Sequence, residues 1–237
     1  MDYADEARRK PGKEKTEKPN ERNAKNVERS RRRASAKLRD YALCTPFRWF
    51  VTLTLAPDKI DRYDMTAAVR KLKTWLDNRV RRKGLTYIVV PELHRDGAIH
   101  FHGFFSDADM GYKDSGTIDM GTGKPKKPRS EAEREDWLSK GGHIVYNLDD
   151  WSLGFSTAIE LYGDRARAVS YVAKYVTKAT EKIGGRWYYS GGNLQAPEVE
   201  YWDISYTELV DADPEAYTFR VPEAGLLFAK KTYPSPG

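Results

Sequence analysis

Pro91-Glu92-Leu93-His94-Arg95-Asp96-Gly97-Ala98-Ile99-His100-Phe101-His102-Gly103 reads as two strands folded back on each other across a Gly-containing turn. Successive strand side chains point to opposite faces, so His100 and His102 share one face and Phe101 lies behind them. Two imidazoles so placed can ligate one divalent cation. Glu92 supplies a third donor if the turn returns it to the same face. A two-residue Asp96-Gly97 turn would pair Leu93 with His100 and send Glu92 to the opposite face. A three-residue loop, Asp96-Gly97-Ala98, would pair His94 with His100 and Glu92 with His102. Gly97 can take the left-handed bulge position of such a loop, a common hairpin connection, and we adopt this reading. His94 then flanks the cation as a supporting group or a fourth ligand.

The flanking sequence extends this hairpin into an α+β plan. Phe50-Val51-Thr52-Leu53-Thr54-Leu55 is an apolar strand ending at Ala56-Pro57. Asp64 caps a helix whose Met65, Ala68, Val69, Leu72, Leu76 and Val80 follow the helical period until Gly84 stops it. Residues 85–92 and 99–105 are the hairpin strands, and 143–147 and 154–161 read as two more. The expectation is a mainly antiparallel sheet of about five strands with flanking helices. Residues 106–130, rich in Gly, Asp, Lys and Pro, read as a long surface loop.

A second group lies further along. After Asp164 no Gly or Pro occurs until Gly184, which predicts a helix over about 165–181. Tyr171, Lys174, Tyr175 and Lys178 fall at i, i+3, i+4 and i+7 and form one stripe. Ala168, Val169, Val172 and Val176 form the neighbouring apolar stripe that docks on a sheet. As core, the first stripe would bury two lysines. As plain solvent face, its tyrosines would be superfluous.

Together these residues resemble the HUH endonucleases, the rolling-circle replication initiators of phages, plasmids and single-stranded DNA viruses. Three motifs carry the resemblance in the family's order: the apolar strand Phe50–Leu55, His100-Phe101-His102 with Glu92 upstream, and Tyr-x-x-Lys. The last occurs twice in tandem, as Tyr171 to Lys174 and Tyr175 to Lys178, like the two-tyrosine phage initiators. The resemblance covers roughly residues 47–180. It implies Mg²⁺ or Mn²⁺ on Glu92, His100 and His102, cleavage of single-stranded DNA at an origin, and a 5′-phosphotyrosine on Tyr175 or Tyr171. Tyr175 is the preferred first nucleophile, and Lys174 and Lys178 would offset phosphate charge. A relaxase carries its Tyr ahead of the His motif and a single-strand transposase tends to carry one Tyr, so the order here favours replication. The reading from another class is a nucleic-acid-binding module with a structural metal site.

A phenol is a poor nucleophile at neutral pH because its free pKa is near 10. A Lewis acid on the phosphate and a cation one helical turn from each Tyr would both help. No Gly-x-x-x-x-Gly-Lys-Ser/Thr loop occurs, so no nucleotide cofactor is expected, and unwinding and synthesis would fall to a host helicase and polymerase.

The charge is uneven. Residues 1–40 hold 14 Lys/Arg against 8 Asp/Glu, which accounts for the whole net charge of +6, since 27 of each sign remain beyond them. This stretch, with Arg31, Arg32 and Arg33, reads as a disordered or loosely helical basic tail that grips phosphates. Residues 41–198 would form the nuclease domain and 199–237 a C-terminal extension packed on it. Arg186-Trp187-Tyr188-Tyr189, between Gly pairs, would suit stacking on unpaired bases or a core strand equally. One cysteine, Cys44, excludes an internal disulfide, and we read it as a small buried residue. No run resembles a signal peptide or a membrane span, so the expected location is a cytoplasm.

Overall fold

The computed structural model of the chain describes residues 21–94, 96–162, 165–198, 217–221 and 226–230. Along the chain run α1 (Glu21–Cys44), β1 (Phe47–Thr54), α2 (Met65–Lys83), β2 (Tyr87–Leu93), β3 (Ile99–Ser106), β4 (Tyr112–Asp119) and α3 (Glu131–Ser139). There follow β5 (His143–Leu148), β6 (Ser156–Glu160), α4 (Arg165–Lys178), β7 (Tyr189–Gly191), β8 (Tyr217–Val221) and β9 (Leu226–Lys230). The first seven strands form one antiparallel sheet in the order β4-β5-β6-β1-β3-β2-β7, and β8 pairs with β9 separately. The α+β class therefore holds, with seven strands in the main sheet rather than about five.

The two additional strands have local causes. β4 lies inside the stretch read as a loop. Its alternation is broken by a register shift between Asp114 and Thr117, where Gly116 takes φ +72°, so period-two reasoning loses the strand. β7 is a three-residue edge strand, too short to carry a pattern.

Alternation on β1, β2 and β3 builds two layers. Val51, Leu53, Val89, Phe101 and Phe105 face α2, whose Leu72, Trp75 and Leu76 complete that core. Asp64 caps α2 by accepting from the Ala67 N–H at 2.9 Å, and Gly84 ends it at φ +66°. On the other face Ile88, Val90 and Phe104 pack against Val169, Val172, Ala173 and Val176 of α4 and Leu38 and Ala42 of α1. Helix α4 ends at Lys178, earlier than expected, and its proposed cap, Asp164, lies outside the described residues.

The reading of residues 1–40 as a tail is corrected over 21–40. They belong to α1, whose buried Leu38 and Ala42 pack against α4, while Arg29, Arg32 and Arg33 are exposed. The tail looked core-free because, up to residue 40, this face offers only Leu38 and the small Ala34. Residues 1–20 lie outside the described residues, as does most of 199–237, including its packing on the domain. Cys44 is half-buried at the end of α1 rather than buried.

Candidate active site

The hairpin register differs from the expected one and still gives the needed face. His94 N–H donates to the Ala98 carbonyl at 2.8 Å, so the loop is residues 95–97, ending in Gly97 at φ +85°. Glu92 therefore pairs with His100 and Val90 with His102, two residues away from the expected pairing. A slip of two preserves the face, whereas a slip of one would have reversed it. Glu92 reaches diagonally to His102, with Oε2 2.9 Å from Nε2.

Strand β1 supplies residues that sequence reasoning missed. Thr52 lies directly opposite His102 and Thr54 opposite His100. The Thr52 hydroxyl shares a hydrogen bond with His102 Nδ1 at 3.1 Å, and Thr54 with His100 Nδ1 at 3.2 Å. Each imidazole thus has its Nδ1 occupied, which turns the ring's Nε2 toward the open face. The signal was present as Thr-x-Thr in an otherwise apolar strand, matching the period of His-x-His.

Helix α4 lays its Tyr/Lys stripe across this face. The Tyr175 ring stacks on the His102 ring with centroids 4.5 Å apart and planes 8° apart. Tyr175 Oη donates to Tyr171 Oη at 2.6 Å, and Tyr171, 50 % exposed, meets Phe50 edge-on. Lys174 and Lys178 are exposed. Beside Tyr175 opens a cavity of about 300 Å³ lined by Pro91, Glu92, Leu93, Lys178, Thr180 and Glu181.

Burial dominates the electrostatics of this cluster. It pushes His102 down to about 4, with His100 and His94 adding to the effect, and it lowers His100 as well. Burial raises the Glu92 carboxyl, opposed by the positive charge of Lys178. Tyr175 is raised by burial, then by the hydrogen bond it donates to Tyr171. Glu92, His100, His102 and Tyr175 are thus each biased toward the neutral form.

Among the described residues no three His, Cys, Asp or Glu side chains are already gathered as a cation cage. Glu92 and His102 are in contact; His100 shares their face but stacks on His94, ring centroids 5.0 Å apart. One carboxylate and two imidazoles whose Nδ1 atoms are held by threonines nonetheless form a donor set suited in kind to a divalent ion. His94 is largely exposed.

The other expected residues sit away from this face or are otherwise engaged. Trp187 is buried under α1, donating from Nε1 to Ser30 Oγ at 3.1 Å, so its ring serves the core and not base stacking. Arg186 is exposed on the turn before it. Arg31 donates to the Ala179 carbonyl at 3.1 Å, just past the end of α4, and Arg32 pairs with Glu28 on its own helix; Arg33 is exposed. His143, at the start of β5, stacks on Tyr162, and Glu160, at the end of β6, pairs with Arg48.

A family profile of replication-associated proteins, the ORF2 type, matches residues 48–180, from β1 through the end of α4. The chain belongs to this family of replication-associated proteins, and its role lies in DNA replication. No curated protein and no solved structure gives a match. Among the described residues no helix is long and apolar enough to cross a membrane.

Proposed function

We propose that the chain is a metal-dependent endonuclease and strand transferase that nicks single-stranded DNA at an origin and initiates rolling-circle replication through a 5′-phosphotyrosine. The observation that carries this reading is the stacking of Tyr175 on His102 beside Glu92, which sets a phenol against the donor set. Glu92, His100 and His102 would hold Mg²⁺ or Mn²⁺, whose chemistry there is to withdraw charge from the non-bridging oxygens of the scissile phosphate.

This chain's own groups do the rest. Tyr175 Oη gives up its proton toward the exposed Tyr171 hydroxyl and water, then attacks phosphorus. An Oη–P bond forms, the P–O3′ bond breaks, and the departing oxygen takes a proton to leave a 3′-OH for a host polymerase. Lys178, whose charge Glu92 already feels, offsets charge on the phosphate. Attack of a 3′-OH on the phosphotyrosine reverses the bond changes and joins strands. Tyr171, farther from the donors, serves as the second nucleophile. Unwinding falls to a host helicase.

The test incubates the chain with an end-labelled, randomised single-stranded 40-mer and Mn²⁺, beside Y171F, Y175F and the double variant. The reading expects a covalent adduct on a denaturing gel that needs Mn²⁺, is lost in the double variant and is weakened most by Y175F. No adduct on DNA that the chain binds would return Glu92, His100 and His102 to a structural role.

A further inference from the structure

Phe155 is the most exposed large apolar side chain among the described residues, at 75 %. Single exposed apolar residues are ordinary on protein surfaces. The position of this one is not.

Phe155 immediately precedes β6 and lies against the end of β1, where the Thr54 N–H donates to its carbonyl at 2.8 Å. Thr54 is opposite His100, and His100 is opposite Glu92. Phe155, Thr54, His100 and Glu92 therefore stand in one row across four adjacent strands. The next residue, Ser156, pairs with the core residue Leu53 and is buried, its hydroxyl accepting from the Leu148 N–H at 2.9 Å. Alternation then puts Phe155 on the opposite face, which is the face of the histidines.

The mount is rigid. Ala56 N–H donates to the Leu153 carbonyl at 2.9 Å, and Trp151 Nε1 donates to the Thr54 carbonyl at 3.1 Å. Between these ties Gly154 lies so close to β1 that a Cβ would run into the Thr54 carbonyl and the Ala56 nitrogen. The glycine brings the backbone onto β1, and the fixed backbone holds an apolar ring out in water beside the donor set. Such a preorganised ring loses little freedom when it captures a ligand.

We infer that Phe155 is a stacking platform for one unpaired base of the DNA strand, next to the phosphate held at Glu92, His100 and His102. The inference rests on the proposed single-strand reading and names a base contact within it. A single strand offers the two features this row would match: a phosphate for a cation on the donor set, and a π-face beside it. Stacking on Phe tolerates any base, so the platform fixes the strand's position without reading its sequence.

The test uses the full chain and a 5′-fluorescein-labelled single-stranded thymidine 20-mer, read by anisotropy with EDTA present so that binding is separated from cleavage. Phe155→Ala should weaken binding about 5- to 150-fold, Phe155→Trp should restore it, and Phe155→Leu, which keeps the apolar bulk without the ring, should stay weak. A 20-mer abasic at every position should bind the wild type more weakly than the thymidine strand does, and Phe155→Ala should show a smaller abasic penalty. Because Phe155 is exposed, the variants should melt like the wild type. Equal affinity of Phe155→Ala and wild type, or equal abasic penalties in both, would overturn the inference. So would a Phe155→Ala effect confined to self-association in sedimentation. Adduct formation by the wild type is scored separately: an adduct with no Phe155 effect removes the platform and leaves the nuclease. A Phe155 effect with no adduct leaves the platform and removes the nuclease.

Discussion

Thr52→Val is the sharpest perturbation available, because it deletes one hydroxyl and keeps the shape of a strand residue. Without a cation, His102 Nε2 faces the Glu92 carboxylate at 2.9 Å, so that nitrogen is suited to carry the proton while Thr52 donates to Nδ1. On the proposed reading a cation takes Nε2, the proton moves to Nδ1, and the Thr52 hydroxyl becomes the acceptor. A hydroxyl serves in both roles; a methyl serves in neither. The His102 side chain is only 13 % exposed, so water cannot replace the missing partner. An unpaired buried N–H costs about 1–3 kcal/mol; the metal-free Nδ1 loses its partner too, so cation binding weakens by the difference between the two states, at most roughly 5- to 150-fold. Calorimetry with Mn²⁺ should show that loss for Thr52→Val, a smaller one for Thr54→Val, and recovery for Thr52→Ser. Thermal melting of the metal-free chain should fall as well, since Nδ1 there loses the hydroxyl that donates to it. Wild-type Mn²⁺ affinity in Thr52→Val, alongside its loss in His102→Ala, would refute the argument that β1 orients the imidazoles.

Two further outcomes follow from burial. Leu38→Ala removes a fully buried side chain between α1 and α4 and should cost about 2–5 kcal/mol in a denaturant melt; an unshifted midpoint would return α1 to the status of a tail. Mn²⁺ affinity should fall only in acid, below the pH of about 6.5 at which an ordinary histidine titrates. The sign follows from His102 at about 4, with His100 also lowered: protons compete for these nitrogens only in acid, while the raised Glu92 carboxyl sets the upper edge of the decline. Half-loss at about pH 6.5 or above in calorimetric titrations, where an unperturbed histidine titrates, would contradict the burial of the pair.

How much of this was legible in the sequence differs by element. Helix α2 was readable residue by residue, because Asp64 and Gly84 punctuate an amphipathic run. The shared face of His100 and His102 was readable from parity alone, and Glu92 joined it through the choice of a three-residue loop, although the register was not readable. Parity survives a two-residue slip, and the choice of loop depends on hydrogen bonds that no side chain announces. Helix α1 was hidden because its packed face up to residue 40 rests on Ala34 and Leu38, a weak hydrophobic signal in a basic stretch. Trp187 was ambiguous because an aromatic beside an arginine looks alike in a core and on a nucleic-acid surface; only the helix above it decides. Thr52 and Thr54 went unread because their role depends on which strand lies opposite.

The tandem motif shows where spacing stops and structure starts. Tyr171-x-x-Lys174 and Tyr175-x-x-Lys178 are equivalent as sequence, yet a step of four residues along α4 gives the two phenols different neighbours. Tyr175 lies over β3, on His102; Tyr171 lies one turn back, over Phe50 of β1. Their hydroxyls are joined at 2.6 Å with Tyr175 as donor, so the buried phenol has a proton route and the exposed one is the route. On the proposed reading this makes the pair ordered and not interchangeable. Tyr171→Phe removes the acceptor and should slow adduct formation on Tyr175 while still permitting it. Tyr175→Phe leaves a nucleophile turned toward β1, which must swing across the face before it can react. A pair of single variants equally impaired in the rate of the first cleavage would show that the two tyrosines exchange places, and that the asymmetry of this face does not govern the chemistry.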